Sequence, residues 1–256
     1  MRLLLVSVTT IVFVMLLFIF RKPQTTHQIP LPSNPPTVTP SPQPPLQSID
    51  VEQNGETYRI AWLRADTSQI SLIPNFTQKR TARSLVDGNR CDAVINGGFY
   101  TKEGKPTGFF IADGKTIRQS IPNTLLNGYF LVDTQNRAAA SFSAPDQTPR
   151  IGLQTGPILI RDGNALRLTI RDDELARRVI VGITQNGAVI FLAIYDPDNP
   201  WSGPRLADTP TIVSKVQVRL QLTDALNLDG GSASAFIRDD LSLEEFTSVG
   251  SFFCIT

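Results

Sequence analysis

Histidine is almost missing. One occurs in 256 residues, His27, and it sits in a proline-rich stretch near the N-terminus. A Ser-His-Asp triad inside the globular part is therefore excluded, and so is a histidine-ligated metal site. Cysteine is scarce too: Cys91 and Cys254 are the whole complement. They form no CxxC or Cys/His spacing, so no zinc site is expected. Charge of one sign is not in excess. The formal net charge is +1, which gives no electrostatic case for nucleic acid. A dense acidic loop of the calcium-binding kind and an internal repeat are likewise missing.

What remains divides the chain into three: an anchor over 1–22, a linker over 23–47 and a folded domain over 48–256. Leu3 to Phe20 is a charge-free run of 18 residues, preceded by Arg2 and followed by Arg21 and Lys22. That length suits a membrane span. A cleaved signal peptide is the alternative, but no small-x-small site follows Phe20. The expectation is a signal-anchor with the bulk of the chain extracytoplasmic, in the periplasm or at the cell surface; after cleavage it would be secreted. Pro23 to Pro45 holds nine prolines among polar residues, a composition that favours extended polyproline II over a packed core.

The remaining stretch is long enough for one core. Short apolar runs bounded by turn residues read as strands over 57–64, 69–74, 92–96, 108–115, 128–133, 137–142, 156–163, 179–184, 188–195, 225–229 and 251–256. Asp113-Gly114, Asp162-Gly163 and Asn186-Gly187 mark hairpin turns. Helices are expected over 81–89, 172–178 and 211–225. The last is ambiguous, because Val216, Val218, Leu220 and Leu222 alternate like a strand while Ile212, Val213, Val216 and Leu220 are spaced like a helix; length favours helix. The fold class is α+β: a single strand-rich, mixed-sheet domain with a few helices. Cys91 and Cys254 each adjoin an apolar run. They either pair across the domain, as exported proteins permit, or stay as two buried thiols.

Four stretches carry polar residues where apolar strands begin or end. In "INGGFYTKEGKPTGFF" (95–110), Asn96 closes a strand, Gly97-Gly98 permit tight backbone, and Phe99-Tyr100 follow. These residues make either an ordinary turn or an amide and aromatic wall facing a sugar. In "LQTGPILIRDG" (153–163), Gln154 precedes a strand entry at Gly156-Pro157. In "RRVIVGIT" (177–184), Arg178 precedes an apolar strand. It is a solvated edge charge or, pointing inward, a planar cation suited to phosphate. In "NLDGGSAS" (227–234), Asn227 and Asp229 share a strand face. Successive N–H groups through Gly230, Gly231 and Ser232 would form an anion-binding nest beside the Asp229 carboxylate; a surface turn is the plainer reading. Because Gly-Gly-Ser-Ala-Ser lacks the second glycine of G-x-S-x-G, Ser232 is not expected to be a serine-hydrolase nucleophile.

Taken together and in that order, "INGGFY", "QTGPIL", "RRVIVGIT" and "NLDGGSAS" resemble the phosphodiester glycosidase family, from about Cys91 to Ile237. The third stretch departs from the more usual Arg-Thr-Ala-hydrophobic-Gly, and Ala233 stands where a third glycine is frequent. The resemblance implies an extracytoplasmic glycosidase that cleaves the sugar–phosphate C–O bond of a sugar 1-phosphodiester. It points to Asp229, Arg178 and Asn96 as catalytic, and to Gly98, Tyr100, Gln154, Gly156, Gly230, Gly231 and Ser232 as substrate-binding. The chemistry is consistent with a site free of histidine. The departing phosphate monoester has a second pKa near 6, so it leaves as an anion and needs no strong acid, unlike an ordinary glycoside. Arg178 and the glycine loop would take its charge, and Asp229 would serve the anomeric carbon. No cofactor is required. Asp229 and Asn96 offer oxygens of the kind that Ca²⁺ or Mg²⁺ prefers, and the metal stays unassigned. The expected partners are a glycan or glycosyl phosphodiester and the membrane, without nucleic acid. The alternative is a non-catalytic carbohydrate- or envelope-binding module on the same fold.

Overall fold

The computed structural model describes residues 47–256. The expected anchor, the proline-rich stretch and His27 lie outside the described residues. Among the described residues no helix is long and apolar enough to cross a membrane.

Three sheets enclose one core. The largest runs β1 (Gln47–Gln53), β2 (Glu56–Ala65), β13 (Val189–Tyr195), β12 (Arg178–Thr184), β14 (Leu222–Asn227), β10 (Ile158–Arg161), β11 (Asn164–Ala165). The second runs β16 (Leu241–Leu243), β15 (Phe236–Arg238), β4 (Ala93–Asn96), β17 (Ser251–Ile255), β3 (Ile70–Pro74). The third runs β6 (Lys115–Arg118), β5 (Phe110–Ala112), β9 (Ile151–Thr155), β7 (Gly128–Val132), β8 (Ala138–Ser141). All of these pairings are antiparallel among the described residues. The domain is thus strand-rich with few helices.

One buried cluster draws on all three sheets, with Leu63, Val181, Phe191 and Leu226 from the first, Ile95 and Phe253 from the second, and Phe110, Phe130 and Leu153 from the third. The opposite face of the first sheet carries Ile60, Trp62, Ile180, Ile190 and Leu192 against a helix, α2 (Thr209–Leu220). Strands β12 and β13 are therefore buried on both faces, which explains why they read as unbroken apolar runs rather than alternating ones. A third cluster packs α1 (Ala82–Asp87), through Leu85, on the outer face of the second sheet. Thr81 caps α1 by accepting the Ser84 N–H.

Two helix expectations need correction. Helix α2 stops at Leu220, not 225, because Gln221 adopts a left-handed conformation at φ 55° and its N–H closes the last turn. The chain then enters the largest sheet as β14, between β12 and β10. The alternation over 216–222 joins two elements: Val216 and Leu220 face the core at helical spacing, Val218 is 88% exposed, and Leu222 already belongs to the strand. Over 172–178 no helix forms. Asp172 is left-handed at φ 51°. The Asp173 carboxylate instead accepts the N–H groups of Leu206 and Ala207, which fastens this segment to the turn before α2.

A disulfide joins Cys91 to Cys254, with a Cα–Cα distance of 5.3 Å. Cys254 lies on β17 opposite Val94 of β4, so the bond fastens the last strand to the segment leading into β4.

Candidate functional site

Strands β4 and β14 belong to different sheets, yet the end of the first and the segment that follows the second meet at Asp229. The Asp229 N–H donates to the Gly97 carbonyl at 3.2 Å, and Asn96 Nδ2 donates to the Asp229 carbonyl at 2.7 Å. From the other side, Leu228 N bonds the Val179 carbonyl and Gly231 N bonds the Arg177 carbonyl, which carries the β12–β14 ladder past the strand end. The backbone of Asp229 is thus clamped between two sheets.

The side chain of Asp229 is half-buried and in no ion pair among the described residues. Its Oδ1 accepts the N–H of Gly230 at 2.9 Å. Burial pushes the carboxyl up to about 7, and the Gly230 N–H offsets this only in part. Such a group exchanges a proton near neutrality.

Arg178 continues the register opposite Asp229. Its Nε donates to the Pro204 carbonyl at 3.0 Å, and its Nη2 donates to the Glu174 carbonyl at 2.6 Å and, at 3.5 Å, to Asp173. Burial lowers its pKa, against the pull of Asp173 and Glu174. The remaining nitrogen, Nη1, has no hydrogen-bond partner among the described residues and faces Gly230. A Cβ at that glycine would sit 3.6 Å from it and 3.3 Å from the Arg177 carbonyl oxygen. A cation held by three contacts with one edge left over suits an anion.

The other residues read from the sequence separate into two groups. Tyr100 is near the carboxylate. Its hydroxyl donates to the Ser248 carbonyl. Burial raises the phenol pKa, Thr247 lowers it, and the negative charges of Asp229 and Glu245 raise it further. Ser232 is exposed on the same loop. Asn96 and Gln154, in contrast, are buried cross-ties. Asn96 Oδ1 accepts the Ala235 N–H, and its Nδ2 serves the carbonyls of Asp229 and Gly97. Its oxygen is buried and already accepts one hydrogen bond. Gln154 Oε1 accepts from Phe109 and Ile121, while its Nε2 donates to Ile121 and Leu126. Every polar capacity of that amide lies inside the protein. Gly98 is pressed against Leu153, whose Cδ1 would lie 2.9 Å from an added Cβ. Gly156 precedes a cis Gly156-Pro157 bond, and its N–H donates to the Asn227 carbonyl.

The glycine loop differs from an open nest. The Gly230 N–H is turned onto Asp229 itself and the Gly231 N–H onto the Arg177 carbonyl. Only the Ser232 N–H has no acceptor among the described residues.

Two residues at this junction escaped the sequence reading. Arg177, not Arg178, is the fully buried arginine. It donates to Ser234 Oγ and to the carbonyls of Ser234, Glu244 and Pro200, and Trp201 lies over it at 5.1 Å. The adjacent pair "RR" was the available signal, since alternation sends the two to opposite faces. Glu245 is a second carboxylate: Oε1 accepts the Ala82 N–H, and Oε2 is buried without a partner. No local pattern announces it. Among the described residues, no group of three or more His, Cys, Asp or Glu side chains gathers into a metal site.

The three sheets resemble solved structures. The catalytic domain of the zebrafish N-acetylglucosamine-1-phosphodiester alpha-N-acetylglucosaminidase, auto-inhibited by its pro-peptide, is 15% identical, with 82% of each chain covered and a TM-score of 0.63. A hypothetical protein from Synechocystis is 16% identical, with a TM-score of 0.55 over 82% of this chain and 61% of that one. No curated protein matches the sequence. The model of the phosphodiester glycosidase family matches residues 89–255, a span that holds β4, β12, β14 and the Asp229 loop. By that match the chain belongs to the phosphodiester glycosidase family.

Proposed function

We propose that this chain hydrolyses the bond between the anomeric carbon of a sugar and the phosphate of a sugar 1-phosphodiester. Family membership supports a glycosidase reaction. One observation carries the residue roles: a half-buried carboxylate without a cation partner, beside a glycine that the free edge of Arg178 faces. Water adds at the anomeric carbon, the bond from that carbon to the phosphate oxygen breaks, and the bonding pair leaves with the phosphate monoester. Water's proton passes to a carboxylate and then to solvent.

In this reading Arg178 Nη1 and the Ser232 N–H take the phosphate charge, a stabilisation that strengthens as the monoester departs. Asp229 acts ionised, as base or nucleophile toward the anomeric carbon, because the leaving group needs no proton. Tyr100 lines the sugar side. Asn96, Gly98, Gln154 and Gly156 act one step back: Asn96 holds the Asp229 carbonyl, Gly98 packs closely on Leu153, Gln154 ties the backbone of Phe109, Ile121 and Leu126 together, and Gly156 bonds the Asn227 carbonyl. The zebrafish relative is named for N-acetylglucosamine 1-phosphodiesters, so that sugar is the first to try. We also place the domain outside the cytoplasm, held by the run from Leu3 to Phe20. The disulfide supports an oxidising compartment.

The test offers the full chain an N-acetylglucosamine 1-phosphodiester with a fluorogenic alcohol and measures free sugar and phosphate monoester. Sugar should appear, and Asp229→Asn should lower kcat at least about a thousandfold with binding retained. Since Asp229 titrates at about 7, kcat/KM should climb tenfold per pH unit below that value and level off above it. Full turnover by Asp229→Asn would refute the assignment. Binding without turnover by the intact chain would mark a carbohydrate-binding module instead.

A further inference from the structure

Three arginines line one cavity of about 180 Å³ where helix α2 ends over the largest sheet. Arg64 comes from β2, Arg219 from the last turn of α2 and Arg238 from the end of β15. Trp62, Ile190 and Leu220 form an apolar floor, and no acidic side chain is in the lining among the described residues. Each cation is fixed in a different way. Arg238 is 8% exposed, and its Nε pairs with Asp240 at 3.1 Å. The Arg219 guanidinium lies over the Trp62 ring, 5.3 Å from its centroid. Arg64 Nη2 donates to the Asn186 side-chain oxygen at 3.1 Å. Neither Arg64 nor Arg219 is in an ion pair among the described residues.

This place is remote from Asp229. Ile190 has Arg64 opposite it on one side and Gly182 on the other. Gly182 is four residues along β12 from Arg178, roughly 13 Å at the usual rise of a strand. The three arginines thus gather at the other end of the sheet from the Asp229 loop.

The lining selects an anion. A recess with charge of one sign and low-dielectric walls focuses its field on whatever enters. Each guanidinium presents a planar fork of donors that matches the oxygens of a phosphate or a carboxylate. A carboxylate has only two oxygens to share among three forks; a phosphate ester has more, and they point in tetrahedral directions. The apolar floor then suits the carbon group that the ester carries.

We propose that this cavity is a second, non-catalytic site that binds the phosphate of a phosphate ester through Arg64, Arg219 and Arg238. The ester is a lipid headgroup or a soluble molecule, since both present the same phosphate. The site stands or falls independently of any hydrolysis at Asp229.

The test uses the full chain. It has two tryptophans, so Trp201→Phe leaves Trp62, under Arg219, as the only one. In that background glycerol 1-phosphate should change the Trp62 emission saturably, with a Kd of about 1 mM or tighter, and chloride at equal ionic strength should not. Arg64→Gln, at an exposed position, should weaken the binding at least about tenfold. Arg178→Lys should leave it unchanged. Vesicles of phosphatidylglycerol, with phosphatidylcholine as the baseline, identify the source. A response to them at phosphate concentrations where glycerol 1-phosphate gives none names a lipid headgroup; a response to glycerol 1-phosphate names a soluble ester; either supports the site. Isothermal calorimetry repeats the titrations and needs no change in the indole. Binding that Arg64→Gln weakens and Arg178→Lys does not supports the site even with unchanged emission. Three results overturn it: no saturable binding by either method, an equal response to chloride, or an affinity that Arg64→Gln leaves intact. Binding that only Arg178→Lys removes would place the anion beside Asp229 and overturn it as well.

Discussion

Replacing Asp229 by Asn should make the protein more stable, and increasingly so as the pH rises. The ordinary carboxyl value is 3.8, and burial lifts Asp229 to about 7. Below 3.8 the carboxyl is protonated in both the folded and the unfolded chain and costs nothing. Between the two values the unfolded chain releases a proton that the folded one keeps, so stability falls as the pH rises. Above about 7 the folded carboxyl ionises as well and the loss stops growing. At about 1.36 kcal/mol per unit, the cost is roughly 1.7 kcal/mol at pH 5 and roughly 4 kcal/mol at pH 8. Asparagine carries no such cost and keeps an acceptor for the Gly230 N–H. The stability gap between variant and wild type should therefore widen by about 2.5 kcal/mol from pH 5 to pH 8. Urea unfolding at each pH, with equal slopes, would show the midpoints separating by about 1 M, taking an m-value of about 2.5 kcal/mol/M. The activity lost with the same substitution would mark a stability–function trade at one atom group. A gap that stays flat across this range, or widens toward acid, would refute the burial argument.

Other perturbations have equally definite outcomes. Cys91→Ser with Cys254→Ser opens a loop whose ends lie 163 residues apart; the expected loss is about 3–5 kcal/mol, read from denaturant midpoints with and without reductant. Asn96→Ala strands the Asp229 carbonyl and the Ala235 N–H; it should cost about 2–4 kcal/mol and lower kcat more than it raises KM, because the carboxylate loses its seat. Arg178→Lys keeps a charge but cannot span the Pro204 and Glu174 carbonyls while facing Gly230; a drop of about 10–100-fold in kcat/KM is expected, with helix content unchanged by circular dichroism.

Strand hairpins were legible because their turns need unusual backbone. Asp113 and Gly114 both adopt positive φ, as do Asp162 and Gly163, and Asp-Gly is the pair that enters that region at least cost. β1 was not legible: it is mostly exposed, starts directly after the proline-rich stretch, and its apolar face is only Ile49 and Val51, half-buried among polar residues. β9 was hidden for the opposite reason. It is buried throughout, and Gly152 and Gln154 interrupt its apolar pattern. The site was legible as positions more than as roles. Asp229 and Arg178 lie across one ladder, and the Asn96 strand end meets them. The same residue types that bond a sugar also tie backbone together, because an amide offers both donors and acceptors. Nothing along the chain tells those two uses apart for Asn96 or Gln154. Glu245 is invisible for a further reason. Its proximity to Tyr100 depends on a loop folding back over the strand ends, which no local periodicity encodes.

The covalent link between Cys91 and Cys254 encircles every residue from Asn96 to Ser232. A protease that cuts the chain once within that circle would leave two pieces still joined. Under non-reducing electrophoresis such a nicked molecule would retain both pieces, and it would separate into them only when reductant is added. A single backbone cut within the circle therefore leaves Asn96, Arg178 and Asp229 on pieces that remain covalently attached.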